Sequence, residues 1–225
     1  MPRPPRVIVA DWCYHFLNRA NEKAEIFHAS QDYDHFLALV QEAQTRVEVP
    51  ILAACLMPNH VHFVVRPSSA DDLARWAHWL FSSHAHRYRG IHGSSGHVWQ
   101  GRYKIFAIQT DRHLLTVMRY VERNALAGKL VARAESWRWG SLRWRNLPGA
   151  PLSLAMSPAP LPADWVDYVN QPQTAAELAA IRTCIDRQRP FGNEDWVKAA
   201  ARQLNSDQSL EPIGRPPKPR NGALL

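Results

Sequence analysis

The sequence has few cysteines and no long apolar run. Its three cysteines, Cys13, Cys55 and Cys184, are scattered and include no CxxC pair, which argues against a disulfide framework and a zinc knuckle. No apolar stretch approaches the length of a membrane span, and the opening MPRPPRVIVADW lacks the apolar core of a signal peptide. We therefore expect a cytoplasmic protein with no membrane partner.

Acidic residues are outnumbered by basic ones. The 225 residues contain 27 Lys and Arg against 20 Asp and Glu, for a formal net charge of +7. A basic domain attracts phosphate backbones, although many basic proteins bind no nucleic acid. The 46% of hydrophobic residues is typical of a globular chain rather than a disordered one, and the length suits one well-buried domain with an appendage.

Periodicity and turn signals divide the chain into a mixed first domain and a smaller C-terminal part. The patterns alternate as strand, helix, strand, strand, helix, strand, helix, with the last helix ending near Gly128. This order predicts an α+β fold with an antiparallel sheet and helices on one face. A Pro-rich stretch follows and is typical of a linker. The predicted boundaries are 1–147 for the first domain, 148–163 for the linker, 164–210 for a small helical C-terminal extension and 211–225 for a basic, Pro-rich tail.

Two histidines stand two residues apart in the predicted strand MPNHVHFVV. Side chains at positions i and i+2 of a strand point to the same face, so His60 and His62 project side by side. Such a pair can bind a metal ion, or it can be two unrelated histidines on a half-exposed strand. The spacing alone does not decide between these interpretations.

A tyrosine and an asparagine stand one turn apart in the predicted third helix, DRHLLTVMRYVERNALAG. Tyr120 and Asn124 lie at one edge of an apolar stripe that includes Leu114, Val117 and Val121. This edge is where a helix that packs on a sheet meets either a site or solvent, and both interpretations fit the pattern.

Basic and aromatic residues alternate in the segment HVWQGRYK and again in WRWGSLRWR. Aromatic rings can stack on unpaired bases while Arg and Lys contact phosphates. The same residues can instead close a small core, with the arginines extending towards solvent. The pattern therefore leaves a nucleic-acid surface and a structural role open.

These segments together resemble the REP-associated tyrosine transposases, a branch of the IS200-like single-tyrosine HUH transposases. The resemblance rests on YHFLNRANEKAEIF, MPNHVHFVV, SGHVWQGRYK, MRYVERN, WRWGS, RQRPFGNEDW and GRPPKPR, in this order and spacing. MPNHVHFVV followed by RYVERN is more specific than either segment alone, and it favours a functional role for the histidine pair and for Tyr120. The family has a ferredoxin-like antiparallel sheet, in agreement with the pattern, and the resemblance implies that residues 1–147 form its catalytic domain.

The resemblance also implies a metal-dependent endonuclease and strand-transferase for single-stranded DNA with a REP-like hairpin. Tyr120 would attack a phosphodiester, forming a 5′-phosphotyrosine link. His60 and His62, with Asn124, would hold Mg²⁺ or Mn²⁺, whereas Glu122 points away around the helix and is disfavoured as a ligand. No small-molecule cofactor is implied. The alternative is a hairpin-DNA-binding protein that does not cleave and has a regulatory or architectural role.

Further side chains would contact the DNA, and the C-terminal extension affects the expected oligomeric state. Related single-tyrosine enzymes often act as dimers, but an extension that lets one chain bind a hairpin favours a monomer over a homodimer. The implied DNA contacts are Arg19, Arg87, Arg89, Trp99, Arg102 and Lys104 in the first domain, and Arg215, Lys218 and Arg220 in the tail.

Overall fold

A single four-stranded antiparallel sheet forms the centre of the molecule. The computed structural model describes residues 6–93, 95–145 and 147–211. The strands are β1 (Cys13–Arg19), β2 (Ile51–Met57), β3 (His60–Val65) and β4 (Lys104–Ile108), in the spatial order β2-β3-β1-β4. All neighbouring strands are antiparallel. With one helix after β1 and one after β3, this is the ferredoxin-like arrangement, so the predicted α+β class and antiparallel sheet are confirmed.

Several helices begin at polar caps whose side chains satisfy one of the first backbone N–H groups. The Ser69 hydroxyl accepts from the Asp72 N–H, and the Asp111 carboxylate accepts from the His113 N–H. The single helix predicted up to Gly128 is in fact two helices separated at Arg123. The helices are α1 (Ser30–Arg46), α2 (Ala70–His92), α3 (Arg112–Glu122), α4 (Asn124–Ala127), α5 (Ser141–Trp144), α6 (Trp165–Asn170), α7 (Ala175–Arg187) and α8 (Glu194–Gln203). No helix of the described part of the chain is both long enough and apolar enough to cross a membrane.

Helices cover both faces of the sheet, which corrects the expected one-sided arrangement. Phe16 and Phe63 belong to the core formed with α1 and α2, whereas Leu17 and Val64 belong to a second core formed with α3, α6 and α7. The physical reason is visible in β2, where every residue is buried. A strand without polar positions has no solvent face, so a second helical layer must cover it.

Later parts of the chain pair with both edges of the sheet. On the β2 side, the Leu56 N–H donates to the Trp139 carbonyl and the Ala155 N–H donates to the Ile51 carbonyl. On the β4 side, Phe191 exchanges backbone hydrogen bonds with Ala107 and Gln109. These contacts satisfy edge groups that would otherwise be open to another strand. Part of the Pro-rich segment therefore lies along β2, while the domain boundaries given above remain a prediction.

Candidate active site

His60, His62 and Tyr120 come together on the sheet face that α3 covers. His60 and His62 are at the start of β3, and their ring centroids are 4.9 Å apart. α3 packs on β2 and β3 and brings the Tyr120 ring to 5.7 Å from the His62 ring. His62 is 2% exposed, while His60 and Tyr120 are half-buried. The strand period and the helix period thus place these three predicted residues beside one another within one chain.

Asn124 lies at the centre of this group. Its Nδ2 is 3.4 Å from Nε2 of His62, and its amide also hydrogen-bonds His60 and Tyr120. Its position one turn after Tyr120 puts both side chains on the same side of the chain, even though Arg123 interrupts the helix between them. The four residues predicted to form the site are therefore in one cluster.

Glu122 points away from this cluster, as its position around the helix predicts. Its side chain is fully buried and pairs with Arg145, at 2.7 Å from Oε1. Ser141 Oγ and Trp165 Nε1 each donate to the carboxylate at 2.6 Å. With both oxygens bonded inside the second core, Glu122 belongs to the structural frame of α3 rather than to the site.

Burial sets the protonation of the site. Burial, reinforced by the nearby charge of Arg19, lowers the pKa of His60 to about 4, and burial also holds the pKa of His62 well below its ordinary value. Both imidazoles are therefore neutral at pH 7, which is the form that binds metal ions. Burial raises the pKa of Tyr120, while Asn124 and the charges of Arg182 and Arg19 act in the opposite direction. The Tyr120 side chain is thus a neutral phenol at pH 7.

The donor set fits a divalent metal of the first transition series. Within the described residues, no three His, Cys, Asp or Glu side chains converge on a point that could hold a metal ion. The candidate ligands are instead two neutral imidazoles and one carboxamide. Because Mg²⁺ prefers oxygen ligands and Mn²⁺ accepts imidazole readily, this set suits Mn²⁺ at least as well as Mg²⁺.

His15 of β1 is a further member of the cluster that sequence analysis missed. Its Nε2 is 2.8 Å from Nδ1 of His62, and its ring stacks on Phe106 with centroids 4.8 Å apart. The available signal was a histidine on the inward side of an apolar strand. Its partner was not readable, because the register between β1 and β3 is not encoded in local sequence.

Two cations flank Tyr120. Arg19, predicted to contact DNA, is half-buried at the end of β1, and Arg182, which was not predicted, is exposed on α7. The charges of both lower the pKa of Tyr120. Neither guanidinium forms a hydrogen bond or an ion pair with another residue in the described part of the chain. Lys104, by contrast, pairs with Asp186 of α7 at 2.8 Å.

Trp99 is in the core, where its ring packs against other aromatic side chains. It is 7% exposed and its ring contacts Phe81 and His84, with centroids 4.9 Å and 5.2 Å away. The ring offers a base little exposed surface, and its contact with DNA stays a prediction. The second aromatic segment is also structural, since Trp137 Nε1 donates to the Leu56 carbonyl and Trp139 Nε1 donates to Asp34.

The other predicted DNA contacts lie apart from Tyr120. Arg87 and Arg89 are exposed on the last turns of α2, on the opposite face of the sheet. Arg102 is exposed beside a cavity of about 770 Å³ that residues at the end of α7 also line. Arg215, Lys218 and Arg220 lie outside the described residues.

The comparison with known families agrees with this geometry. The model of the family described as "Transposase IS200 like" matches residues 8–124, a range that begins before β1 and ends at Asn124. The match includes His15, His60, His62 and Tyr120 and leaves the C-terminal extension outside. The chain belongs to the IS200-like transposase family, as the sequence resemblance predicted.

Solved structures that are similar to this chain include two transposases. One is described as a REP-associated tyrosine transposase bound to a REP hairpin; it is 16% identical, with a TM-score of 0.52, over 77% of this chain and 99% of that chain. At this identity the likeness shows a shared fold. The other, a putative transposase from Deinococcus radiodurans R1, is 16% identical, with a TM-score of 0.38, over 55% of this chain and 97% of that chain. No curated protein matches the sequence.

Proposed function

We propose that this IS200-like transposase is a metal-dependent endonuclease and strand-transferase for single-stranded DNA with a REP-like hairpin. One observation carries the proposal: Tyr120, the histidine pair and Asn124 meet on one face of the sheet, with the Tyr120 and His62 rings 5.7 Å apart and Asn124 in contact with both. This is a nucleophile beside a metal-ligand set, and the basic character of the chain suits a phosphodiester substrate.

The chemistry is a transesterification in which Tyr120 is the nucleophile. Its hydroxyl oxygen forms a bond to phosphorus while the bond from phosphorus to the 3′ oxygen breaks. The proton that the phenol loses is balanced by the proton that the 3′ oxygen gains. A divalent ion held by His60, His62 and Asn124 would polarise the phosphate and stabilise charge on the departing oxygen. The 5′-phosphotyrosine bond retains the energy needed for rejoining, so no ATP is required.

Arg19 and Arg182 would receive the phosphate. They approach Tyr120 from β1 and from α7, and their charges act on its hydroxyl. A guanidinium can donate two hydrogen bonds to a phosphate and offset its charge. The same cations favour the phenolate that develops as Tyr120 reacts, which is useful because burial alone disfavours it.

The site is complete within one chain, which supports a monomer rather than a homodimer. Tyr120 contacts the histidines of its own β3. Both edges of the sheet pair with later segments of the same chain, so neither is open for joining to a second sheet. The fold shared with a structure described as bound to a REP hairpin supports hairpin DNA as the partner.

Covalent trapping tests the proposal. Labelled single strands that carry hairpins from the vicinity of the gene are incubated with the wild type, Tyr120→Phe or His62→Ala, in Mn²⁺, Mg²⁺ or chelator. Tyr88→Phe is the matched control, because it removes a tyrosine hydroxyl from α2, on the other face of the sheet. We expect a metal-dependent protein–DNA adduct in the wild type and the control and none in Tyr120→Phe. Tight hairpin binding without cleavage in any metal would favour the non-cleaving, regulatory or architectural alternative.

A further inference from the structure

We infer that His15 is a positioning residue that keeps the proton of the His62 ring on Nδ1, so that Nε2 keeps its lone pair for the metal. The inference rests on the proposed role of His62 as a ligand. Nε2 of His15 is 2.8 Å from Nδ1 of His62 in a fully buried contact. The opposite nitrogen of His62, Nε2, faces Asn124 and the site. His15 thus contacts the side of the ligand ring that points away from the metal position.

Two neutral imidazoles joined by one hydrogen bond share one proton between the facing nitrogens, and its position decides what His62 can do. With the proton on Nδ1 of His62, His15 is the acceptor and Nε2 of His62 is free to bind a cation. With the proton on His15, Nε2 of His62 must carry a hydrogen and cannot be a ligand. That arrangement would also point the Nε2–H of His62 at Nδ2 of Asn124, 3.4 Å away. Nδ2 is itself a hydrogen-bond donor and cannot accept from this N–H.

His15 is costly as a purely structural residue. It is fully buried, its ring stacks on Phe106, and its Nδ1 has no hydrogen-bond partner within the part of the chain that the structure describes. An unsatisfied buried polar atom carries an energetic cost, because its hydrogen bonds to water are lost on folding and not replaced. Phenylalanine would fill the same slot beside Phe106 without that cost. A buried histidine with one nitrogen bonded to His62 and the other unpaired is explained by what it does for His62.

The contact has the form of an outer-sphere partner in a metal site. Ligating histidines generally donate their second N–H to a fixed acceptor, which sets the tautomer and the ring orientation. The acceptor is often a carboxylate or a carbonyl; here it is an imidazole, which orients the ring without adding negative charge. Loss of such a partner typically weakens metal affinity by about 10–100-fold, so an effect of this size is expected for His15.

The first test measures Mn²⁺ affinity by electron paramagnetic resonance in the wild type, His15→Phe, His15→Gln and His62→Ala. We expect His15→Phe to bind Mn²⁺ about 10–100-fold more weakly, because it keeps the ring and removes the acceptor. Glutamine can place a carbonyl oxygen near Nδ1 of His62 and should recover most of the affinity. Circular dichroism and hairpin binding in chelator should be the same for all four proteins. Wild-type affinity in a folded His15→Phe would overturn the inference.

The second test reads the tautomer directly in the metal-free wild type and needs no variant. Long-range ¹H–¹⁵N correlation spectra at pH 7 distinguish an imidazole protonated on Nδ1 from one protonated on Nε2. We expect the Nδ1–H form for His62, and an Nε2–H form would overturn the inference even where a variant fails to fold. Failure of the proposed function has a different signature: the wild type and His62→Ala would then bind Mn²⁺ equally weakly.

Discussion

The buried carboxylate of Glu122 predicts a large and specific loss of stability on substitution. Its side chain is fully buried on the side of α3 away from Tyr120 and pairs with Arg145, which is 14% exposed. It also accepts from Ser141 and from Trp165 of α6. Arg145 in turn donates to the Leu52 carbonyl of β2. Glu122 therefore joins α3, β2 and the C-terminal extension through one charged network.

The perturbation is Glu122→Ala. Removing one partner of a buried ion pair leaves the other charge uncompensated and costs about 3–5 kcal/mol. A domain is stable by about 5–15 kcal/mol, so the variant should fold but with much of its stability lost. The assay is urea unfolding followed by tryptophan fluorescence and circular dichroism. The matched control is Glu42→Ala, whose exposed pair with Arg46 on α1 should contribute less than about 1 kcal/mol.

A double variant separates charge from packing. Glu122→Leu combined with Arg145→Met removes both charges at similar volume, and we expect it to be more stable than Glu122→Ala because no buried charge is left alone. A loss of less than about 1 kcal/mol for Glu122→Ala would refute the reasoning, as would equal losses for Glu122→Ala and Glu42→Ala. Either result would mean that the carboxylate is solvated and does not connect these elements.

Three further expectations follow from the described contacts. Burial lowers the pKa of His84 to about 4. Between about pH 6.5 and pH 4 this histidine is therefore protonated in the unfolded state but neutral in the folded state. For this group, the free energy of unfolding decreases by about 1.4 kcal/mol for each unit by which the pH is lowered. His84→Phe should lose that slope in urea unfolding at pH 7, 6 and 5, and parallel pH profiles for variant and wild type would contradict it. Arg182→Ala should weaken hairpin binding and reduce the slope of log affinity against log salt by about 1, whereas Arg202→Ala on α8 should leave hairpin binding unchanged. Equal losses of affinity in the two variants would show that only net charge matters. Trp99→Ala should cost about 3–5 kcal/mol as a core truncation, while Trp99→Phe should keep hairpin affinity. Lost affinity at unchanged stability would support the stacking role that the sequence predicts.

Local periodicity predicted each half of the site separately. The strand period of two put His60 and His62 on one face, and the helix period of 3.6 put Tyr120 and Asn124 on one edge. The family resemblance then supplied the relation between strand and helix. The ring distances agree with these predictions. None of them required knowledge of which residues pair across the sheet.

What sequence analysis missed depends on contacts between distant segments. The bond between His15 and His62 depends on strand register, and the contact of Glu122 with Trp165 spans 43 residues. The covering of both sheet faces follows from the uninterrupted apolar run of β2, a signal that the predicted one-sided arrangement of helices did not take into account. Trp99 shows a different limit, since the same alternation of basic and aromatic residues suits a core and a base-stacking surface.

The residues that flank Tyr120 in sequence affect whether Tyr120 acts with the histidines of its own chain or with those of a second chain. Arg119 donates to the Gln171 and Pro172 carbonyls, at 2.8 Å and 3.1 Å, and Arg123 donates to the Gln171 carbonyl at 2.9 Å. Hydrogen bonds from charged donors contribute about 1.5–3 kcal/mol each, so moving α3 away from its own β3 would cost several kcal/mol before any contact with a second chain formed. These partners lie beyond residue 124, where the family match ends. We therefore expect that the C-terminal extension holds Tyr120 beside the histidines of its own chain, and that the monomer is the active species for this structural reason.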